Sequence, residues 1–589
     1  DQTQIDKSIR EMMGLPATNQ MYINTDALNP SDLKLEMFSA QDLLGNGVSN
    51  SLVDYYGYDY LGKKDNKATS INDFLTAEDS RGNKTFHVGA YKPIYIAGYI
   101  QDKFDYKDIK FNVGVRVDRF DANQKVLKDK YSFFDISKAG EVAPDRPSNI
   151  KDDYAVYVDA EGSNKIVGFR HEDTWYNIEG KEIADPSILT TGGRVFPWLK
   201  DQKYDWSYKI DANAFTDYKP QINVMPRVAF SFPISDVANF FAHYDVLTQR
   251  PNVSMRFDPR DYYFFSSNSN NPFLTNPNLK PEKTIDYELG YNQVLNEKKN
   301  AALKITAFYR EMRNQITTQT INQAYPQTYY TYVNKDFGTV KGLSMEFDLR
   351  RTGGISINAN YTLQFADGSG SNSASGANLS STGQPNLRVT LPLNYDRRHN
   401  FVLTFDYRFG EGKDYRGPQF NRKKKDGSSQ TVQILQNVGA NLQFLTGSGT
   451  PYTRYDRPIP VGGRSNITGS LNGSNMPWTF RSNLRIDKNI ELSWGKKEGQ
   501  DRKTANLNIY LQCLNLFNNK NVLGVFNYTG DASDDGYLAS AAGQQAVLQQ
   551  AQANNAQQSF QDQYGIYLNN AISNYGRPRT IRIGVMLDF

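Results

Sequence analysis

The residue types that most often perform catalysis or bind metal ions are sparse in this chain. Its four histidines are His87, His171, His243 and His399, and no two of them have the H-E-x-x-H or i, i+4 spacing of a helical zinc site. A single cysteine, Cys513, excludes an intramolecular disulfide and a cysteine-based zinc site. We therefore expect no catalytic residues, no metal site and no cofactor, and a protein that is not an enzyme.

Two polar stretches have partial motif character. Asp531, Asp534 and Asp535 could supply carboxylate oxygens to a calcium ion, but the EF-hand spacing is missing, so a solvated acidic loop is favoured. Gly368-Ser369-Gly370 opens a run rich in serine, glycine and asparagine that ends at Gly383. Because this run lacks the strand-to-helix context of a nucleotide-binding loop, it is typical of a flexible external loop.

Clustered tyrosine and phenylalanine side chains are the best candidates for ligand binding. One cluster lies from Asp261 to Phe265, ahead of a polar run from Ser266 to Asn271, and a second lies between Tyr325 and Tyr332. Such side chains give rigid amphipathic contact area that suits peptides, sugars or aromatic chelates. The alternative is that they pack against one another and hold long loops closed. The candidate ligand-binding residues are Tyr262, Tyr263, Phe264, Phe265, Tyr325, Tyr329 and Tyr330.

The elements that must position these side chains are strands with one apolar face. In the last ten residues, Ile581, Ile583, Val585, Leu587 and Phe589 alternate with polar or small residues and with Met. Side chains in a strand point alternately to opposite sides, so this strand has one wholly apolar face. The pattern recurs along the chain with charges and amides on the other face. In a soluble sandwich each apolar face would need a partner sheet, whereas a wall between lipid and a watery lumen needs none.

Thirteen segments are predicted as strands, and the connections between them alternate in length. Tight turns such as Asn296 to Lys299 alternate with long segments such as 120–221 and 522–576. This asymmetry is typical of an outer-membrane barrel with its long loops outside the cell. Residues 410–431 break the pattern, since they are long, fall on the short-turn side and contain Arg422-Lys423-Lys424-Lys425. The predicted strands are 94–104, 108–119, 222–232, 237–247, 283–295, 300–312, 337–350, 355–366, 399–409, 432–446, 482–494, 504–521 and 577–589.

Composition is compatible with an all-β transmembrane antiparallel β-barrel and excludes some other classes. Of the 589 residues, 39% are hydrophobic and 13% aromatic, and no apolar run approaches the roughly 18 residues of a membrane helix. That absence excludes a helical membrane protein but not a barrel. The net charge of +4, from 67 basic and 63 acidic residues, gives no argument for a nucleic-acid partner.

The predicted strand count is odd, whereas bacterial single-chain barrels have an even number of strands. The first predicted strand also runs down from the long-loop side, after an upstream segment of 93 residues. Open strand edges are not viable in lipid, so further strands are expected ahead of this one. We therefore expect 1–93 to be a long extracellular loop region and 94–589 to be the C-terminal portion of a larger transmembrane barrel.

Three motifs occur in a characteristic order along the chain. Gly98 to Phe104 leads to Gly114-Val115-Arg116-Val117-Asp118, and Asn276 to Lys283 precedes Tyr287-Glu288-Leu289-Gly290. Asn515-Leu516-Phe517-Asn518 lies near the outer end of the penultimate strand. Together these motifs resemble the TonB-dependent outer-membrane receptors, especially the large Bacteroidetes-type ones, over about residues 90–589.

The resemblance implies a bacterial outer-membrane protein with a barrel of about 22 strands, the first of which are not in this chain. It implies a receptor that binds a nutrient (a siderophore, peptide or oligosaccharide) and imports it with energy from the TonB–ExbB–ExbD system, through a plug that is also not in this chain. The implied partners are outer-membrane lipid, that energy system and the missing barrel strands, and a surface lipoprotein is a further candidate. Phe589 resembles the C-terminal aromatic that serves as a barrel assembly signal, with a girdle anchor as the alternative.

Two other functions stay open at this point. The first is a receptor-like barrel that serves as a structural, export or assembly component of an outer-membrane complex. The second is a soluble adhesin of several sandwich domains, which would dissolve without detergent.

Overall fold

The structure is a computed structural model of the 589-residue chain. The polar run from Ser266 to Asn271, together with Lys424, Lys425 and the end of the glycine- and serine-rich run, lies outside the described residues. The structure describes residues 3–589 except 19–20, 45–50, 202–209, 253–255, 266–272, 376–388, 424–426, 459, 461–464, 495–502, 555–556 and 570–573.

Thirteen antiparallel strands form one continuous wall, in which each strand pairs with the wall strands before and after it in the sequence. The thirteen predicted strands and the predicted all-β fold are thereby confirmed. The wall strands are β1 (Ile94–Tyr106), β2 (Ile109–Asp121), β3 (Gln221–Ser235), β4 (Ala238–Gln249), β5 (Glu282–Val294), β6 (Ala301–Ile321), β7 (Tyr329–Thr352), β8 (Ile355–Gly368), β9 (His399–Arg408), β10 (Val438–Gly447), β11 (Thr479–Trp494), β12 (Lys503–Leu514) and β13 (Thr580–Asp588).

Several strand ends differ from the prediction for local reasons. β6 and β7 continue to pair as far as Ile321 opposite Tyr329, through a segment of threonine and glutamine that has no regular apolar face. β12 ends at Leu514 rather than at 521, because Asn515 takes a left-handed conformation with φ of 53°. The Asn515 side-chain oxygen then accepts a hydrogen bond from the Asn519 amide at 3.0 Å, which fixes the turn.

The long connection between β9 and β10 forms a hairpin on the short-turn side of the wall. Gln419–Lys423 pairs with Ser429–Gln433, so β10 begins at Val438 rather than at the predicted 432. All residues of the first hairpin strand are exposed, including Arg422. The hairpin therefore carries basic side chains at the end of the wall opposite the long loops.

The two faces of the wall differ as the sequence alternation predicts. On β13 the outward side chains of Ile581, Ile583 and Val585 are 63%, 79% and 65% exposed. The opposite face carries ion pairs between strands, such as Arg227 with Asp245 at 2.7 Å. An apolar outer face and a charged inner face are what a boundary between lipid and a watery lumen requires.

Glycines on the lumen face make room for large side chains of neighbouring strands. A Cβ on Gly342 of β7 would lie 2.2 Å from the Leu363 carbonyl oxygen and 2.6 Å from the Phe308 ring. A Cβ on Gly584 of β13 would lie 2.3 Å from the Tyr510 ring. Glycine at these positions lets the strands keep their register while a neighbouring ring lies across them.

The long loops pack into a second core, which we call the loop core, at the long-loop side of the wall. Described residues from Ala40 to Val88 and the β2–β3, β4–β5 and β6–β7 connections contribute to it, with Phe74, Phe86 and Phe133 at 0–1% exposure. The β2–β3 connection contains a five-stranded sheet of Ala155–Val158, Ile166–His171, Thr174–Asn177, Glu182–Ile183 and Phe196–Pro197. The α-helices among the described residues are α1 (Gln4–Met12), α2 (Ala40–Leu44), α3 (Ile71–Thr76), α4 (Ala139–Val142), α5 (Pro259–Tyr263), α6 (Ala541–Asn554) and α7 (Gln557–Asn569).

No helix in the described part of the chain combines the length and the apolar character that crossing a bilayer demands.

Two strands are the edges of the wall. Among the described residues, β1 pairs in the wall only with β2, and β13 only with β12. β1 begins at Ile94, where the sequence places the start of the barrel portion. That further strands complete the barrel, and that 1–93 is extracellular, stay predictions.

Gly342→Ala is expected to destabilise the wall, because its Cβ would meet the backbone oxygen of Leu363, which is held in the β7–β8 pairing. Such overpacking costs about 1–3 kcal/mol. The measurement is the temperature at which the compact, faster-migrating form is lost in SDS electrophoresis. Gly98→Ala in β1 is the control, since nothing lies within 4 Å of a Cβ built there. Equal transition temperatures for the two variants would contradict the account.

Candidate ligand-binding site

A buried arginine joins the N-terminal region to the β4–β5 loop. Arg260 in α5 is 2% exposed, and its guanidinium donates to the two carboxylate oxygens of Asp258 at 2.7 and 3.0 Å. It also donates to Asp54 at 3.1 Å and to the Tyr56 hydroxyl at 2.6 Å, across more than 200 residues of sequence. The two carboxylates compensate a charge that would be costly to bury alone. Residues 54–56 are thereby held against α5.

A second buried arginine organises the five-stranded sheet. Arg170 is 4% exposed, pairs with Asp129 and donates to the Tyr157 hydroxyl at 2.9 Å. Its guanidinium lies 4.3 Å from the centroid of the Tyr131 ring, a cation–π contact. The Tyr131 hydroxyl in turn donates to Asp173 at 3.0 Å. Arg170 is thereby held by Asp129 and two tyrosines, one of which connects it to Asp173.

The predicted ligand-binding aromatics lie mostly inside the loop core. Phe133, which the sequence did not single out, lies at their centre, with ring centroids 5.2 Å from Tyr262, 4.8 Å from Phe265 and 5.5 Å from Tyr329. Mutual packing, the alternative stated for these residues, is therefore a role that most of them have. Ligand contact stays a prediction, and Tyr262 and Tyr329 are best placed for it because they line a cavity. The side chains 1–5% exposed are Tyr262, Phe264, Phe265, Tyr325 and Tyr329, whereas Tyr263 and Tyr330 are partly buried.

The cavity, of about 550 Å³, lies between the loop core and the outer end of β7. Tyr262, Leu274 and Tyr329 form its apolar side. The volume falls within the range of small-molecule sites, and a mostly fixed pocket with a few polar groups is the usual form of such a site. The charged side chains around it are Lys128, Lys130, Lys138, Arg170 and Lys280, with Asp129, Asp153, Glu172 and Asp173, and His171 also lines it.

A neighbouring cavity of about 640 Å³ shares Asp173 with the first and includes Tyr131 and Trp175 in its lining. Two of its lining residues, Gln319 and Thr320, have a buried side-chain oxygen without a hydrogen-bond partner among the described residues. Both oxygens are shielded from the cavity, so they are not contacts for a molecule bound there. The neighbouring cavity thus offers aromatic contact from Tyr131 and Trp175.

The Asn276 to Lys283 motif holds the rim of the first cavity against β7. The Asn276 side chain donates to the Tyr332 carbonyl at 2.8 Å. The Asn334 side chain accepts from the Lys280 amide at 2.7 Å and donates to the Lys280 carbonyl at 2.8 Å. Through these two hydrogen bonds the Asn334 side chain bonds to the backbone of Lys280 as a neighbouring strand would. Lys280 is thereby held at the cavity.

A charged group in the lumen was missed by the sequence analysis. His243 of β4 lies opposite Glu288 of β5, with its Nδ1 3.6 Å from that carboxylate, and Asp286 is close enough for the three to offer ligand atoms to a metal ion. Arg310 of β6 donates to Asp286 at 3.1 Å and to Glu288 at 3.2 Å, so the carboxylates already have a cationic partner. We assign the group a structural role, because it joins three wall strands. The alternation of side chains along β5 places Asp286 and Glu288 on the lumen face. That His243 lies beside them depends on how β4 pairs with β5, which a single sequence does not give.

The C-terminal aspartates stabilise their own loop. Asp531 accepts from the amides of Ser533 at 2.7 Å and Asp534 at 3.1 Å, and Asp535 accepts from the Tyr564 hydroxyl of α7. Their carboxylates therefore have different local partners. Among the described residues, the only His, Cys, Asp and Glu group close enough to share an ion is the lumen group above.

The strand wall, with its apolar outside, charged inside, short turns at one end and long loops at the other, defines a bacterial outer-membrane β-barrel. A family model described as TonB dependent receptor-like, beta-barrel, matches residues 13–437. The chain belongs to this family. The predicted family and the predicted outer-membrane location are thereby confirmed.

Solved structures of outer-membrane receptors are similar to this chain. The ferric-catecholate import receptor Fiu of Escherichia coli K12 has 13% identity and a TM-score of 0.35, over 73% of this chain and 41% of Fiu. The FrpB iron transporter of Neisseria meningitidis has 10% identity and a TM-score of 0.35, over 77% and 47%. FpvA of Pseudomonas aeruginosa, solved with a pyoverdine, has 11% identity and a TM-score of 0.37, over 84% and 48%. The match covers less than half of each of these receptors, and no curated protein matches the sequence.

Arg260→Met is expected to loosen the loop core, because it leaves Asp258 buried without its partner. Removing one member of a buried ion pair costs about 3–5 kcal/mol. Near-UV circular dichroism during heating should show an earlier loss of tyrosine signal than in the wild type. Arg313→Met is the control, because the pair of Arg313 with Glu311 is largely exposed and such pairs contribute about 0–1 kcal/mol. A variant that melts like this control would refute the role of Arg260.

The stability of the loop core is expected to fall as the pH rises from about 4 to about 7. Burial, and then the neighbouring Asp258 carboxylate, raise the pKa of Asp261 from 3.8 to about 7. The folded state therefore binds more protons than the unfolded state in this window, so each rise in pH costs stability until Asp261 is ionised. Asp261→Asn should flatten the pH dependence of the melting temperature, whereas the exposed Asp217→Asn should leave it unchanged. A wild type that is more stable at pH 8 than at pH 5, with Asp261→Asn identical to it, would contradict this sign.

Proposed function

We propose that this chain forms the surface and wall of a receptor that binds a nutrient outside the cell and imports it across the outer membrane. The observation that carries the proposal is the cavity beside Tyr262 and Tyr329, at the long-loop end of a wall with a polar lumen. Family membership supports the transport role. Binding of this kind needs shape and hydrogen bonding but no covalent step, so no enzymatic activity is proposed.

Siderophores, peptides and oligosaccharides are the candidate substrates. The aromatic side of the cavity, with Tyr262 and Tyr329, suits flat rings and sugar faces. The charged side chains around the first cavity, such as Lys280 and Asp129, favour a ligand that also carries polar groups. A polar ligand with apolar faces fits both observations.

The proposed receptor works with partners outside these 589 residues. Energy comes from the TonB–ExbB–ExbD system through a plug, and outer-membrane lipid surrounds the apolar face. Residues 1–93 lie outside the cell as part of the loop core, and a surface lipoprotein is a candidate cover for it. Phe589, which is 95% exposed on the apolar side of the last strand, serves as the barrel assembly signal.

A deletion strain should grow more slowly than its parent on at least one of a panel of iron–siderophore, peptide and oligosaccharide sources. On that source, Asn278→Trp is expected to lower uptake about tenfold, the effect of losing about 1.4 kcal/mol of binding free energy. Asn278 is an exposed residue of the cavity lining, so an indole there fills the space without disturbing the core.

Lys298→Trp, in the exposed turn between β5 and β6, is the matched control and should leave uptake unchanged. A deletion strain that grows normally on every source, but whose outer membrane has become leaky, would instead favour a structural or assembly role. Equal uptake by the two tryptophan variants would show that the cavity has no part in import.

A further inference from the structure

A third cavity lies on the lumen side of the wall, at the long-loop ends of β9 to β13. This cavity of about 550 Å³ is bounded by Thr479 at the start of β11, Leu514 at the end of β12 and Thr580 at the start of β13. We call it the arginine pocket, since Arg397, Arg481, Arg577 and Arg582 line it. It is separate from the two cavities of the loop core, with which it shares no lining residue.

The charge in the arginine pocket is uncompensated. Its lining has four arginines and no aspartate or glutamate. None of the four forms a salt bridge within the part of the chain that the structure describes. Other arginines of the lumen face do so, since Arg227 is 2.7 Å from Asp245 and Arg408 is 2.8 Å from Asp487. The lumen face thus has arginines in salt bridges at other positions, and four arginines without a salt bridge among the described residues at this pocket.

The pocket is built by fixed backbone. Asn515 is 2% exposed, and its side chain donates to the carbonyls of Asn519 at 3.0 Å and Arg577 at 3.1 Å. Its amide donates to the Asn483 side chain at 3.1 Å, so three segments around the pocket meet at this one residue. The Asn515-Leu516-Phe517-Asn518 motif thereby holds the segment that carries Arg577.

The remaining arginines are set by the wall strands. Arg481 and Arg582 point into the lumen by strand parity, on β11 and β13. Arg397 precedes β9 and passes over Gly447, where a Cβ would lie 3.0 Å from the arginine Cδ. Glycine at 447 therefore gives the Arg397 side chain its path toward the pocket.

We propose that the arginine pocket binds an anionic group (carboxylate, phosphate or sulfate) of a small ligand, as a step of the import described above. Guanidinium groups offer planar pairs of donors that match these oxyanions and stay charged at any working pH. The volume of the arginine pocket is that of a small-molecule site. A free metal cation would be repelled by the four arginines, and a neutral sugar would provide no counter-charge for them.

The test is calorimetric titration of the receptor, extracted from outer membranes in detergent, with citrate, inorganic phosphate and sulfate. Triethyl citrate, in which the three carboxylates of citrate are neutral ethyl esters, is the neutral probe. At least one anion should bind, and triethyl citrate should not. Arg481→Gln/Arg582→Gln should weaken that binding about ten- to a hundredfold, as expected for the loss of charge-assisted hydrogen bonds.

Arg422→Gln/Lys423→Gln is the matched control, because it removes the same charge from the exposed hairpin at the opposite end of the wall. Its anion affinity should equal that of the wild type. Folding of each variant is checked by heat-modifiable migration, and Arg577→Gln, on an exposed connection, replaces the double variant if that one fails to fold. Absence of binding by all three anions, or equal affinities in the pocket and hairpin variants, would overturn the proposal.

This inference rests on the proposed import function, but the two fail separately. If no anion binds while the deletion strain still loses growth on a nutrient, the receptor function holds and the arginine pocket does not. If an anion binds as expected while the deletion strain grows normally on every source, the pocket holds and the import function does not.

Discussion

Backbone hydrogen bonding between neighbouring wall strands determines where every lumen side chain of this protein lies. In lipid each strand must satisfy its amides and carbonyls on its neighbours, and the register that results is shared by the whole wall. Because side chains alternate along a strand, one register places the alternating apolar sets outside and the alternating polar sets inside. His243 meets Glu288, and Arg481 and Arg582 face one space, only because this register holds across several strands.

The loop core depends on a different interaction, the burial of arginine with carboxylates. Arg260 and Arg170 each connect segments that are distant in the sequence, and aromatic rings pack around them. Such a core gives the long loops a fixed arrangement, so the residues that line the cavity beside Tyr262 and Tyr329 are held in place. A fixed cavity lowers the entropy cost of binding, which is an advantage for a surface receptor.

The wall was predictable from the sequence because a period of two repeats over many residues, and the strands from Ile94 to Asp588 follow from it. The site was less predictable. The aromatic segment from Tyr262 to Phe265 was identified, but its burial around Phe133 depends on contacts across more than 100 residues. Parity places Arg481 and Arg582 in the lumen, yet their convergence with Arg397 follows from strand order and loop closure, which a single sequence does not specify.

Cysteine labelling on intact cells tests the central claim, that this chain is an outer-membrane wall with its cavity-bearing loops outside. Lys280→Cys, at the first cavity, and Lys298→Cys, in a short turn, are treated with a membrane-impermeant maleimide, since the native Cys513 is buried. Lys280→Cys should be labelled on intact cells, and Lys298→Cys only after the outer membrane is opened. Labelling of Lys298→Cys on intact cells, with Lys280→Cys protected, would contradict this claim.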